Sequence, residues 1–237
     1  MRTVLVTGAT RGLGRETARR LAAAGHTVLV GARDAGRGAE AARGIGPGAH
    51  PLVLDVTSDD SARAAAERVR DAFGRVDVVV NNAGVVGSRR PVGEVTAADL
   101  HACFDTNVFG AVRVLRAFAP LLERGDAPVV VNVSSGLGSL AAATDPGARA
   151  AHVPAWLPAL DYASAKAALN MVTALYAHAH PGMRVNAVDP GHTATDLNGH
   201  TGAQTVEEGA EVIVRLALTG PDGPTGGFFA AAGPVPW

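Results

Sequence analysis

The chain has 237 residues, 47% of them hydrophobic and 18% charged, with a formal net charge of −1 at pH 7. That apolar fraction supplies a core for one α/β domain, and the near-neutral charge argues against a nucleic-acid binder, which carries a basic patch or stripe. Cys103 is the only cysteine. It therefore cannot close an internal disulfide, and no apolar run reaches membrane-spanning length, so a cytoplasmic protein without a membrane partner is expected.

In chain order, a β-branched run at 3–7 (TVLVT) reads as the first strand, followed by the glycine-rich TGATRGLG, Thr7 to Gly14, and a helix over 13–24. Further strands are expected at 27–31, 51–55, 76–80, 128–133 and 183–188, with a seventh near 227–231. Helices are expected at 35–43, 59–73, 97–123, 160–178 and 205–218. Several strands are near-continuous apolar runs, as strands covered on both faces must be. Strand and helix alternating in this way predict a single doubly wound Rossmann fold over 1–237, with a parallel sheet of about seven strands and helices on both faces. Right-handed crossovers then bring every loop that follows a strand to one edge, where such sheets bind ligands. The stretch 144–158 is the one irregular segment.

The glycine loop follows the first strand and opens the first helix. Glycines there permit a tight turn and close backbone approach to a pyrophosphate, with the helix N-terminus facing the phosphates. The spacing Gly8, Gly12, Gly14 is neither G-x-G-x-x-G nor a P-loop. At the end of the second strand, where an NAD site places an acid, the sequence reads Gly31-Ala32-Arg33-Asp34. Arg33 with Arg11 suits the extra phosphate of NADP, since a guanidinium fork pairs with phosphate oxygens. Asp34 as a ribose acid would indicate NAD instead.

The chain holds one lysine among twenty-one basic residues, and that Lys166 lies four positions after Tyr162, one of only two tyrosines. On a helix this spacing puts both side chains on one face. A phenol with its ordinary pKa near 10 is poorly matched to proton exchange at neutrality, and a nearby ammonium is expected to lower it. The position also disfavours arginine, whose planar fork cannot present a compact charge.

TGATRGLG, Asp55-Val56, NNAG (81–84), Asn107, NVSS (132–135), YASAK (162–166) and PGHTAT (190–195) occur in order at strand ends, and together they resemble the short-chain dehydrogenase/reductase superfamily over essentially the whole chain. The likeness is greatest to its NADPH-dependent carbonyl reductases. The resemblance implies a catalytic tetrad of Asn107, Ser135, Tyr162 and Lys166, with Ser134 structural and Asn107 fixing a water that links Lys166 to solvent. It implies cofactor contacts from Gly8, Thr10, Arg11, Gly12, Leu13, Gly14 and Arg33, with Asp55 and Val56 near the adenine. Asn81, Ala83 and Gly84 would support cofactor and sheet, and Tyr162, Lys166, Pro190, Gly191, Thr193 and Thr195 would lie about the nicotinamide and phosphates.

The implied activity is NADPH-dependent reduction of a ketone or aldehyde. The alternatives are an NAD-dependent alcohol dehydrogenase working oxidatively, with NAD(H) as cofactor, and a non-catalytic NADP(H) sensor. The substrate is a small carbonyl or alcohol whose identity is unreadable, taken by loops 86–95, 137–158 and 192–204. Ser135 and Tyr162 are 27 positions apart, more than in many members, with the extra length in 144–158. Monomeric carbonyl reductases carry a longer insertion there, so a monomer is favoured over a homodimer or tetramer. Val153, Trp156 and Leu157 could line the pocket or sit in a surface excursion. Asp189, His192 and Asp196 look ligand-like but overlap the cofactor loop, and no metal is expected.

Overall fold

The computed structural model describes residues 1–237. Strands β1 (Thr3–Thr7), β2 (Thr27–Ala32), β3 (Ala49–Val53), β4 (Val78–Asn81), β5 (Val129–Val133), β6 (Arg184–Val188), β7 (Phe228–Ala230) and β8 (Gly233–Pro234) form one sheet. Their spatial order is β3-β2-β1-β4-β5-β6-β7-β8. Every pairing is parallel except the last, in which β8 folds back antiparallel on β7. The order reverses direction between β1 and β4, and the crevice above that switch point is where such a sheet takes a ligand.

Helices α1 (Gly12–Ala23), α2 (Ala35–Ile45), α3 (Asp59–Phe73), α4 (Ala97–Phe104), α5 (Gly110–Leu122), α6 (Leu140–Thr144), α7 (Pro146–His152), α8 (Leu160–Ala179) and α9 (Val206–Ala217) connect the strands. Alternation along each strand divides the core in two. Val4 and Val6 of β1 face α1, α2 and α9 with Leu21, Ala42 and Ile213, whereas Leu5 faces α3 and α5 with Val69 and Phe118. The valine-rich strands are apolar on both faces because both faces are covered. No helix is long and apolar enough to cross a membrane.

The fold class matches the sequence reading, and four details differ. An eighth strand, only two residues long, extends the edge. β3 ends at Val53 rather than 55, because the chain leaves the sheet where the Asp55 amide turns to the Ser61 hydroxyl and the Asp55 carboxylate accepts from Thr57. The helix expected over 97–123 is interrupted by a π turn at Asp105–Phe109. The segment 144–158 is also less irregular than expected. Asp145 accepts from the Gly147 amide and Pro146 follows it, so α7 starts there, and Arg149 Nε donates to the Ala142 carbonyl at 2.9 Å, fastening α7 to α6.

Candidate active site

The glycine loop leaves β1 at the switch point. Gly8 has φ +62°, and a Cβ there would lie 2.9 Å from Ala83 Cα, so only glycine allows this loop to press against the one after β4. Thr7 Oγ1 accepts from the Asn82 and Ala83 amides, each at 3.0 Å. Asn82 Nδ2 donates to the Thr7 and Gly8 carbonyls at 2.8 and 3.2 Å. Helix α1 begins with no side-chain cap and no acid in its first turn, which leaves its first amides for an anion. Across the cleft, Thr195 Cγ2 lies 3.6 Å from where a Gly12 Cβ would be, and Arg11 pairs with Asp196 at 3.2 Å. Thr10 and Leu13 are half-buried, Leu13 leaning on Gly209 of α9, and Gly14 packs under Asn82. Arg33 is exposed at the end of β2, while Asp34 Oδ1 accepts from the Arg37 amide at 2.8 Å as the cap of α2.

The four residues expected to form the tetrad come from three places. Ser135 follows β5 and is half-buried, with its hydroxyl near enough to Tyr162 to favour the phenolate. Ser134 is instead buried and donates to Asn170 Oδ1 of α8 at 2.6 Å. Tyr162 and Lys166 share one face of α8, with the ammonium 5.5 Å from the phenol ring centroid. Lys166 Nζ donates to the Val133 carbonyl at 2.8 Å, tying helix to strand. The π turn widens the helix at Asn107 and turns its amide inward. Oδ1 accepts from the Val85 amide and Nδ2 donates to the Val85 carbonyl, both at 2.9 Å, so this side chain holds the loop after β4. Between them lies Gly84, whose missing Cβ would be 2.9 Å from Asn107 Oδ1 and 3.9 Å from Lys166 Nζ.

Other expected site residues are placed differently. Asn81 Nδ2 donates to Asn132 Oδ1 at 2.9 Å, and Asn132 Nδ2 to Thr173 Oγ1 at 2.9 Å, a buried amide chain that serves the sheet rather than the cleft. Thr193 is 4% exposed and donates to the Pro190 carbonyl at 3.0 Å, so its side chain lies at the base of its loop beside Gly209. Val56 packs on Gly110 of α5, and the carboxylate of Asp55 is held by Thr57. Pro190 and Gly191 border the cleft after β6, with the Gly191 amide donating to Asp189 Oδ1 at 3.0 Å. Segments 86–95 and 192–204, expected to take substrate, are joined by Arg89, which donates to the Leu197 carbonyl at 2.8 Å, and Asp161 Oδ2 of α8 accepts from the Ser88 amide at 2.6 Å. Of the insertion, Val153 is buried against Gly136, Trp156 is half-buried under the Arg149 guanidinium at 4.1 Å, and Leu157 is exposed. Sequence reasoning missed Thr7, Asn82 and Asp161. The second asparagine of NNAG and an acid directly before Tyr162 were the available signals.

The electrostatics reverse one expectation. Burial and the nearby Asp189 charge push the Tyr162 phenol up, and the Ser135 hydroxyl only partly opposes them. Burial lowers the pKa of Lys166 to about 8, and its ammonium points at the Val133 carbonyl. Asp189 is itself pushed up by burial, against the pull of the Gly191 and Gly136 amides.

A doubly wound sheet, an uncapped helix start under a glycine loop, and a tyrosine–serine–lysine cluster facing it define a dinucleotide-dependent oxidoreductase. A family model described as short chain dehydrogenase matches residues 2–206, and the chain belongs to that family. It is 36% identical to the short-chain dehydrogenase anuI of Penicillium roqueforti, over 92% of this chain and 88% of that one. It is 33% identical to a (+)-neomenthol dehydrogenase of Arabidopsis thaliana, over 97% of this chain and 96% of the relative. Among solved structures, the NADPH-bound carbonyl reductase from chicken fatty liver superposes with a TM-score of 0.85 at 26% identity, covering 100% of this chain and 99% of that one.

Proposed function

We propose that the protein is an NADPH-dependent reductase of a ketone or aldehyde, with Tyr162 as general acid. The observation that carries this reading is the convergence of Ser135, Tyr162 and the buried Lys166 at the carboxyl edge of β5. The cleft suits a dinucleotide. The free first-turn amides of α1 suit a pyrophosphate. We assign its contacts to Gly8 and Thr10–Gly14, to Arg33, Asp55 and Val56, to Ala83 and Gly84, and to Pro190, Gly191 and Thr195.

Bound nicotinamide supplies the hydride that reduces the carbonyl carbon. Ser135 donates a hydrogen bond to the carbonyl oxygen as negative charge grows there. Tyr162 then passes its phenolic proton to that oxygen, leaving an alcohol and a phenolate. Lys166 fixes the phenol's helix against β5, and Asn107 fixes the loop after β4.

The preference for NADPH rests on the adenine end. Arg33 is free at the end of β2, Arg11 adds a second guanidinium, and Asp34, the one acid placed to hold a ribose, already caps α2. The carbonyl reductase from chicken is named as NADPH-bound, and a pterin aldehyde reductase of Arabidopsis thaliana, 35% identical over 83% of this chain and 76% of that one, is named as NADPH-dependent.

The test is a broad carbonyl panel run with NADPH and with NADH. Tyr162→Phe should lower turnover about 10³-fold while NADPH still binds. Turnover that survives this change rules out Tyr162 as the acid, and faster turnover with NADH overturns the cofactor preference.

A further inference from the structure

Between β4 and α4, residues 82–91 form neither helix nor strand. Residues 83–90 make no backbone–backbone hydrogen bond, so side chains from elsewhere set their path. Asn107 holds the near end through both backbone groups of Val85. Two further fastenings lie beyond it. Asp161 Oδ2 accepts from the Ser88 amide at 2.6 Å, and Arg89 Nη2 donates to the Leu197 carbonyl at 2.8 Å.

Local structure explains neither fastening. Asp161 is 2% exposed and lies in the first turn of α8, where an acid suits the helix dipole. Its Oδ1 serves that turn by accepting from the Tyr162 amide at 2.9 Å, whereas Oδ2 turns to a residue 73 positions earlier. A Cβ at Gly87, whose φ is +82°, would lie 2.6 Å from Asp161 Oδ2, so the chain presses on the carboxylate only because 87 is glycine. Arg89 is exposed and holds φ +58°, a conformation rare outside glycine. The sheet order β4-β5-β6 puts β5 between the other two strands. A link from the loop after β4 to the loop after β6 therefore passes over the carboxyl end of β5, where Ser135 follows. Asp161 ties the same link to the residue before Tyr162.

We propose that residues 86–90 are a strap roofing the site of Ser135 and Tyr162, fastened by Asp161 and Arg89, and that this strap sets how bulky a carbonyl substrate the site admits. The proposal rests on the reductase reading for what passes beneath the strap. Asp161 and Arg89 are positioning residues that determine specificity, since each acts only through the chain it holds. The two fastenings differ in strength. Asp161 is shielded from water, so its bond to the Ser88 amide has no ready substitute. Arg89 is open to water, which replaces the Leu197 carbonyl at little cost, so this end is the one that lifts. A compact aldehyde fits beneath the closed strap, whereas a ketone bulky on both sides has to break the Arg89 bond first.

The test compares the wild type with Arg89→Ala and Asp161→Ala by two readouts. The first is hydrogen exchange at the Ser88 amide, followed by NMR, which needs no turnover. Each variant should speed it about 10-fold. The second is NADPH-dependent kcat/KM for benzaldehyde, acetophenone and benzophenone, which grow in bulk around one carbonyl. The wild type should fall steeply along this series. Arg89→Ala should raise the ratio of benzophenone to benzaldehyde about 10-fold, with KM for NADPH unchanged. Arg89→Lys, which can still donate to the Leu197 carbonyl, should restore most of the wild-type ratio. Ser88 exchange that Arg89→Ala leaves unchanged, or a ratio that stays at the wild-type value, overturns the proposal. Failure of the reductase reading shows separately, as activity that survives Tyr162→Phe, and exchange at Ser88 does not depend on it.

Discussion

A single buried ammonium carries much of the chemistry and some of the instability of this site. Lys166 is 4% exposed, and its pKa falls from 10.5 to about 8 because burial penalises the charge. Removing a buried charge and leaving an apolar chain of similar volume is often neutral or stabilising. Lys166→Met is therefore expected to abolish turnover and to raise stability near neutral pH by about 1–3 kcal/mol. The pH dependence has a definite sign. The unfolded chain keeps this proton up to 10.5, whereas the native one releases it near 8. Between those values the unfolded state binds more protons, so the stability contributed by this group rises with pH and is lost again as pH falls through 8. The Tm advantage of the methionine variant should shrink steadily from about pH 8 to pH 10.5, as thermal melts at several pH values would show. An advantage that stays constant across that range would mean that Lys166 is not held in the charge-disfavouring site described above.

Elements set the distances that those residues cannot set themselves. Ser135 meets Tyr162 only because the turn after β5 lies flat on α8, and Gly138 is the closest point of that contact. A Cβ at 138 would sit 2.7 Å from the Lys166 carbonyl carbon and 2.8 Å from the Ala167 nitrogen. Gly138→Ala must push the turn from the helix, at a cost of about 2–3 kcal/mol. The expected signature is a lower Tm with kcat reduced more than NADPH affinity, because the glycine loop lies elsewhere. Equal losses of both would show that the damage spreads beyond the contact. The helix over 97–123 carries a related lesson. Its apolar pattern runs without a break, so periodicity reads one rod. The π turn at Asp105–Phe109 arises because the Asn107 amide is held by Val85, 22 positions earlier, a partner no local pattern shows.

At the scale of the molecule, residues 235–237 tie α6 and the turn before it to the edge of the sheet. Trp237 stacks on Phe228 with centroids 5.5 Å apart, Ser139 Oγ donates to the Pro236 carbonyl at 2.7 Å, and the Ala141 amide donates to the Trp237 carbonyl at 2.9 Å. These bonds hold α6 and the serine turn against the sheet edge. Removing residues 235–237 should cost about 2–4 kcal/mol, from the lost stack, the buried Val235 and the orphaned donors. It should also raise KM for the carbonyl more than for NADPH, checked by melts and steady-state kinetics on the truncated chain. Equal KM values would separate the tail from the site.

The strands, the glycine loop, and the Tyr162–Lys166 pair were legible because each is written in neighbouring residues. Valine runs between turn residues specify buried strands, glycines specify a tight loop, and a spacing of four specifies one helix face. A parallel sheet then has little freedom in where it brings its loops, so the location of the cleft follows from the sequence as well. What only the tertiary structure decided is how charges and amides from distant elements share that cleft. Asn81 was expected to support both cofactor and sheet and pairs with Asn132 of the sheet, Asp34 could have been a ribose acid and caps a helix, and Tyr162 was expected to be acidified by Lys166. Burial, with the charge of Asp189, 27 positions further on, pushes the phenol up instead. A pKa depends on solvent exclusion and on through-space charge, and neither can be read along a chain.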